Sequence, residues 1–434
     1  MTRRSFSTDV ALLTGVRFGS VLAAFLTSVL AARLLGPAAL GAGAVAITVA
    51  IISAVIANAG MGISSIYFLG RRPGLERMIV QNVATLAAIG TVVAMLLVLG
   101  AIPIIVDIVL PGHPPDVLLA AAVLAPAMVA ADIGGAMLLG LHARGRYMLV
   151  EAARTIGTFA ATAAVLVLVL RSEVGYVLAA ALALAFAATV ALVGVARIAG
   201  PLRPRLDRGF VGEALSMGVR GQAGNVLQFL NLRLDLLLVS ALLNVEAVGI
   251  FLVAVRAAEV VVQVANAVAS LIFPHVAAQT EQWDTAPTER AIRVTLGIVT
   301  VSAIILALIA GPVLSLAFGP RFTSGTTTLQ LSLIAMVPLA LARILSGDLK
   351  GRGRADFVSL ANLVAVGLTA VGGLILIPPF GIEGAALASI MTYVGLAIAL
   401  LIAYQRVTRA RLWSLVPRAT DATLLWDLGR RAMR

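Results

Sequence analysis

Leu34-Leu35-Gly36-Pro37-Ala38-Ala39-Leu40-Gly41-Ala42-Gly43-Ala44-Val45-Ala46 lies over Leu242-Leu243-Asn244-Val245-Glu246-Ala247-Val248-Gly249-Ile250-Phe251-Leu252-Val253-Ala254 at an offset of 208 residues. Arg144-Gly145-Arg146 lies over Arg352-Gly353-Arg354 at the same offset. Alanine and leucine matches are cheap in this composition, but a glycine and an Arg-Gly-Arg that recur in one register are not. The chain therefore reads as two tandem copies of one unit, an arrangement typical of membrane transporters.

Hydrophobic residues make up 61% of the chain and charged residues 12%, against about 25% charged in an ordinary soluble domain. Stretches of about 20 apolar residues, enough to cross roughly 30 Å of hydrocarbon, recur from end to end. Twelve spans can be drawn, at residues 10–34, 39–69, 78–110, 117–141, 148–170, 174–198, 213–240, 246–275, 291–318, 325–347, 356–378 and 382–405. The expected fold is an all-α integral membrane protein of about twelve transmembrane helices. Residues 1–208 form an N-terminal six-helix lobe, 209–406 a C-terminal one, and 407–434 a basic tail with an interfacial amphipathic segment around Trp413, Leu415, Trp426 and Leu428. Six is even, so both copies enter from the same side and are expected to be related by a pseudo-twofold axis along the membrane normal.

The net charge of +12 sits in alternate loops, as membrane insertion requires, and not in a nucleic-acid-binding patch. Arg3, Arg4, Arg71, Arg72, Arg77, Arg144, Arg146, the arginines from Arg197 to Arg208, Arg290, Arg293, Lys350, Arg352, Arg354 and the tail fall on one side of the drawn spans. The other side holds little beyond Arg171 and Arg321. Both termini are expected to be cytoplasmic and the location the cell inner membrane, with the first span kept as a signal anchor. The chain has no cysteine, so disulfides and thiol chemistry are excluded. His113, His142 and His275 are not spaced as metal ligands and read as structural. The sequence contains neither a phosphate-binding glycine loop followed by Lys-Ser or Lys-Thr nor a nucleophile elbow, so no enzymatic site and no cofactor are expected.

Charges inside spans carry the information, because each costs ~2.5–3.5 kcal/mol at a helix centre unless it meets water or a partner. In the seventh span Arg220, Gly224, Gln228, Asn231 and Asp235 recur at helical spacing, as do Arg256, Glu259, Gln263 and Asn266 in the eighth. Each set keeps to one face of its helix, which predicts a water-filled cavity between the two. Arg17 lies within the first span with no acid in reach on its own helix, and Asp132 lies alone in the fourth. Glu151 and Arg154 read as a local pair in the fifth.

Several motifs resemble the polysaccharide and oligosaccharide flippases, of the O-antigen type, of the multidrug/oligosaccharidyl-lipid/polysaccharide exporter superfamily. They are Ala32-Arg33-Leu34-Leu35-Gly36-Pro37 with Gly41, Leu232-Arg233-Leu234-Asp235 followed by Glu246-Ala247-Val248-Gly249-Ile250-Phe251 and Arg256-x-x-Glu259, Phe273-Pro274, Phe318-Gly319-Pro320, and Ile377-Pro378-Pro379-Phe380-Gly381. The resemblance implies two lobes that move a polyprenyl-diphosphate-linked glycan from the cytoplasmic to the outer leaflet by alternating access, for polysaccharide biosynthesis and alongside a polymerase or glycosyltransferase machinery.

A diphosphate crossing apolar space needs cations, and arginine suits bidentate phosphate contacts. Arg17, Arg220 and Arg256 are the expected substrate-binding cations. Gln228, Asn231, Gln263 and Asn266 are expected to contact sugar hydroxyls, and Asp132, Asp235 or Glu259 to couple transport to H+ or Na+. Three alternatives compete. A cation-coupled multidrug exporter would find its cargo repelled by these arginines. A cell-wall precursor flippase of the lipid II type usually has fourteen spans, against the twelve drawn here. A non-transporting assembly partner of a polysaccharide polymerase would show no transport of its own.

Overall fold

The computed structural model describes residues 6–278 and 284–410, without the side chains of residues 6–18, 20, 21, 223 and 225. The tail segment with Trp413, Leu415, Trp426 and Leu428 lies outside the described residues, as does the side chain of Arg17. All regular structure among the described residues is helical. Each of the twelve drawn spans is occupied by helix. The first is α1 (Phe6–Leu35), and the second is α2 (Pro37–Asn58) with α3 (Met61–Arg71). The third to sixth are α4 (Glu76–Ile108), α5 (Asp116–Gly140), α6 (Arg144–Ala164) and α7 (Glu173–Ala199). The seventh is α8 (Arg208–Asn231) with α9 (Leu234–Leu242), and the eighth is α10 (Val245–Ala277). The ninth is α11 (Ala286–Leu308) with the short α12 (Ala310–Val313), and the tenth is α13 (Thr326–Gly351). The last two lie in α14 (Ala355–Thr408).

At 54 residues α14 would be about 81 Å long if straight, far more than a bilayer needs. Gly381 breaks it, with φ 58° and ψ −138°, just after Pro378 and Pro379. Beyond that point the chain runs back along itself. A Cβ on Gly384 would sit 2.0 Å from the Leu376 carbonyl, Gly372 faces Ala388 and Met391, and Thr369 Oγ1 lies 3.1 Å from Thr392 Oγ1. These pairs are symmetric about residue 380, so α14 is an antiparallel hairpin of two passes.

Packing relies on small side chains. Ala42, Ala46, Ala50 and Ala54 of α2, and Ala179, Ala183, Ala187 and Ala191 of α7, are buried at every fourth residue, which lines up one face of each helix. Large residues such as Leu168 and Leu308 are 80% exposed. This inverts the soluble pattern, because lipid gives helices no hydrophobic reason to associate and close van der Waals contact between small residues takes its place.

The chain forms two compact units, residues 1–226 with 244–249 and residues 227–243 with 250–434. They part inside the seventh pass, later than the Gly200–Arg208 linker where counting passes divides the chain. That linker is held to α4 within the first unit: Gln81 Nε2 donates to Pro201 O, Arg205 N to Thr85 Oγ1 and Asp207 N to Asn82 Oδ1 at 3.3, 2.9 and 2.7 Å.

The repeated glycine marks a real repeat. Within the first unit, a Cβ on Gly41 would lie 1.8 Å from Val245 O, and one on Gly249 would lie 2.0 Å from Pro37 O. Since 37 pairs with 245 and 41 with 249 at the offset of 208, the two contacts are reciprocal copies. The preceding position is solved twice by different chemistry. Gly36, at φ 79°, delivers the chain to Pro37 at the first position of α2. Asn244 caps α10 by accepting from Ala247 N at 2.8 Å.

The Arg-Gly-Arg register, by contrast, does not survive in three dimensions. The turn between α5 and α6 recurs at an offset of 211, not 208. Ala143 N donates to Leu138 O at 2.9 Å and His142 has φ 56°, while Arg354 N donates to Leu349 O at 2.8 Å and Gly353 has φ 75°. Both are helix-ending turns with one left-handed residue. Arg144 opens α6, whereas Arg352 lies in the turn itself, so the two triplets occupy different places in equivalent loops.

Two measurements check this architecture. Gly41→Ala and Gly249→Ala each place a Cβ inside a carbonyl and are expected to cost about 3 kcal/mol, the upper range for overpacking, seen as a lower thermal transition in detergent. Gly297→Ala, with no atom within 4 Å of its Cβ, is expected to leave the transition in place or raise it. His142→Gly removes a left-handed non-glycine residue and is expected to stabilise by ~1 kcal/mol.

Candidate functional site

The polar groups of the second unit converge where its helices are interrupted. The seventh pass breaks at Leu232-Arg233, whose amides turn back to Phe229 O and Leu230 O at 3.1 Å each. The break places Asp235 in the first turn of α9, where a carboxylate favours the helix dipole. Asp235 is 7% exposed and accepts from Leu236 N at 2.7 Å. Discontinuous helices carrying charge at membrane depth are the usual construction of transporter sites.

Around this break stand Arg256 and Glu259 from α10, Arg343 from α13 and Tyr393 from the second arm of α14. Arg256 Nη1 lies 3.5 Å from Glu259 Oε2, one helical turn away. Arg233 is within electrostatic reach of Arg256, Glu259, Asp235 and Tyr393, and Arg343 of Glu259 and Tyr393. Beneath them a buried chain joins three passes. Thr369 Oγ1 lies 3.1 Å from Asn231 Oδ1, to which it donates, and also 3.1 Å from Thr392 Oγ1.

The predicted stripe of α10 is present, but its amides are engaged along the helix. Gln263 Nε2 donates to Glu259 O at 3.2 Å and Asn266 Nδ2 to Gln263 Oε1 at 3.3 Å. Gln228 is half-buried in the seventh pass. Asn231, also expected to contact sugar, is 3% exposed, and its side-chain carbonyl accepts from Thr369.

In the first unit Arg220 is exposed on α8, and Arg33 is exposed at the end of α1. Arg17 lies in α1 with its side chain outside the described residues. Asp132 is not the isolated carboxyl that its own span suggested. Arg154 of α6 donates to it at 2.7 Å and also lies 3.7 Å from Glu151. The local pair read from spacing is thus half of a three-residue group, and its third member comes from another helix.

Comparison with known proteins follows from this geometry. Residues 32–425 match the family model described as lipid II flippase MurJ. The chain belongs to the MurJ family. Among solved structures, the lipid II flippase MurJ in an inward closed conformation aligns with a TM-score of 0.75 at 12% identity, covering 91% of this chain and 87% of that one. An inward-facing multidrug resistance MATE family transporter of the MOP superfamily aligns at 0.69 with 16% identity, over 90% of this chain and 94% of that one. At such identities the likenesses speak for the fold, which is all-α with about twelve transmembrane helices in two six-helix lobes. No curated protein matches the chain in sequence.

Membership of this family makes the chain a multi-pass membrane transporter and not an enzyme. The matched family is that of the lipid II flippase, against which a count of twelve spans argues. The twelve drawn spans, all occupied by helix among the described residues, do not keep the chain out of that family.

Sequence reasoning missed Arg343, Tyr393, Thr369 and Thr392. Arg343 met the criterion already in use, a lone cation inside the span drawn at 325–347, and could have been found. The threonines could not, since a hydroxyl bonded to its own helix, as Thr369 is to Ala365 O at 3.0 Å, reads as ordinary in any apolar span.

The group around Arg154 gives a direct test. Arg154→Ala leaves Asp132 and Glu151 facing each other without their cation, whereas Asp132→Asn leaves Arg154 its Glu151 partner. Arg154→Ala is expected to lower thermal stability by on the order of 1 kcal/mol more than Asp132→Asn, a figure discounted for their partial exposure.

Proposed function

We propose that this protein flips a polyprenyl-diphosphate-linked glycan of the lipid II class from the cytoplasmic to the outer leaflet of the cytoplasmic membrane, by alternating access. The observation that carries the reading is the family match over residues 32–425. The embedded arginines support it independently. The cargo's physical difficulty is a diphosphate and a polar headgroup crossing hydrocarbon while the prenyl tail stays in lipid. Guanidinium groups meet phosphate oxygens two at a time and remain charged at any accessible pH. Arg220, Arg256 and Arg17 are proposed to receive the diphosphate. Gln228, Gln263 and Asn266 are proposed to meet hydroxyls of the headgroup.

The carboxylates are read first as counter-ions. Asp132 holds Arg154, Glu259 holds Arg256, and Asp235 stands beside Arg233. Paired acids allow arginines to reside at membrane depth, where an uncompensated charge is costly. The cytoplasmic placement of both termini rests on the arginine-rich turns, Arg71–Arg77, Arg144–Arg146, Arg197–Arg208 and Lys350–Arg354, which all follow an even number of passes.

Translocation of lipid II by the purified protein in vesicles tests the reading, with a polyprenyl-diphosphate oligosaccharide as the competing cargo. Wild type is expected to move lipid II, and Arg220→Ala and Arg256→Ala to slow it by about tenfold or more, the worth of a charge-assisted hydrogen bond. Movement of the oligosaccharide alone would transfer the assignment to the polysaccharide class. Uptake of organic cations with neither lipid moved would transfer it to drug export.

A further inference from the structure

One polar cluster of the second unit holds more cations than acids. Arg233 and Arg256 stand with Asp235 and Glu259, while Arg343 is within electrostatic reach of Glu259 and has Lys350 as a further cation within reach. Glu259 is already engaged by Arg256, and Asp235 turns one oxygen to a backbone amide. Arg343 is the guanidinium left over. It lies eight residues before the end of α13 at Gly351, about 12 Å into the helix. Its Nε is buried and finds no hydrogen-bond acceptor.

A donor of that kind is expensive. Leaving a buried polar group unpaired costs about 1–3 kcal/mol, more when it is charged. Replacement of such a group by an apolar one is often stabilising, so its retention at membrane depth points to a ligand that supplies the missing acceptor. The surplus sign says which ligand. A dissolved cation would enter a cluster already positive, whereas an anion would complete it. Tyr393, buried beside both Arg233 and Arg343, offers a hydroxyl donor to the same oxygens.

We propose that Arg343, with Tyr393 beside it, forms an anion subsite within the second unit that binds phosphate oxygens of the lipid-linked cargo. The proposal rests on the flippase reading for the identity of the cargo, while the subsite itself rests on the charge surplus and the unmet donor. Phosphate oxygens are also carried by anionic phospholipids, and the test separates the two sources.

The experiment is calorimetric titration of the full chain in neutral detergent with inorganic pyrophosphate, together with thermal unfolding of each variant. Wild type is expected to bind. Arg343→Gln is expected to weaken binding by about tenfold or more, and Arg343→Lys by less, since it keeps the charge and loses the fork. Arg354→Gln, at an exposed arginine paired with Asp356, is expected to bind as wild type. Unfolding separates a binding role from a packing role: Arg343→Gln is expected to unfold at the wild-type temperature or above. Pyrophosphate binding by Arg343→Gln equal to wild type, or none by wild type, would overturn the subsite even if lipid II is translocated. Competition by a short-chain phosphatidylglycerol would overturn its assignment to the cargo. Intact pyrophosphate binding without lipid II translocation would instead reject the flippase reading and leave the subsite standing.

Discussion

Hydrocarbon gives apolar helices no reason to prefer one another to lipid, and that constraint governs how this chain is built. What holds its passes together must be contact close enough for dispersion to exceed what lipid tails offer. Alanine at every fourth position of α2 and α7 brings backbones near. Gly41 and Gly249 go further and bring a carbonyl to where a Cβ would stand. Many large apolar side chains, such as Leu168 and Leu308, are turned outward. Sixty-one percent hydrophobic composition therefore means something different here: much apolar bulk meets the solvent, and alanine and glycine take a large share of the helix contacts.

The same solvent sets the terms for charge. Hydrocarbon does not solvate charge, so a guanidinium at membrane depth needs water, a carboxylate or a ligand. The first unit supplies Asp132 and Glu151 for Arg154. The second supplies Glu259 for Arg256 and places Asp235 at the amino end of α9, where the backbone itself is electropositive. The break at Leu232-Arg233 is what makes this possible. A continuous helix would have no free amides in mid-membrane and no place where a carboxylate, an arginine and a change of chain direction coincide. The interruption and the charge cluster are thus one feature seen at two levels.

Much of this was legible in the sequence, and the limits have physical causes. Length and apolarity gave twelve passes, including a division at residues 379–381 where the structure breaks α14 at Gly381. The glycine at an offset of 208 located a true pair of equivalent contacts. The Arg-Gly-Arg pair at the same offset did not, since the turns it suggests are equivalent at 211. Side chains that must avoid a clash are fixed in register, whereas arginines at a loop can slide by three residues and still serve the membrane surface. Pairing between helices was the other blind spot. Asp132 looked alone because periodicity reports neighbours on one helix, and its partner Arg154 is on another. Asn231 showed the converse: it sat on a polar stripe, yet the threonine that claims its carbonyl lies 138 residues away.

The sign of the embedded charge also narrows the cargo more firmly than the fold does. Two-lobed bundles of this kind align with a MATE multidrug transporter and with a lipid II flippase at similar quality, so architecture alone allows either. A site for organic cations needs unneutralised carboxylates. In this chain the embedded acids stand against arginines, and the second unit retains a guanidinium beyond them. Such a field repels a cationic drug and attracts a diphosphate, whatever sugar the diphosphate bears. Charge alone carries no information about that sugar, so recognition of it falls to neutral polar groups, the role proposed above for Gln228, Gln263 and Asn266.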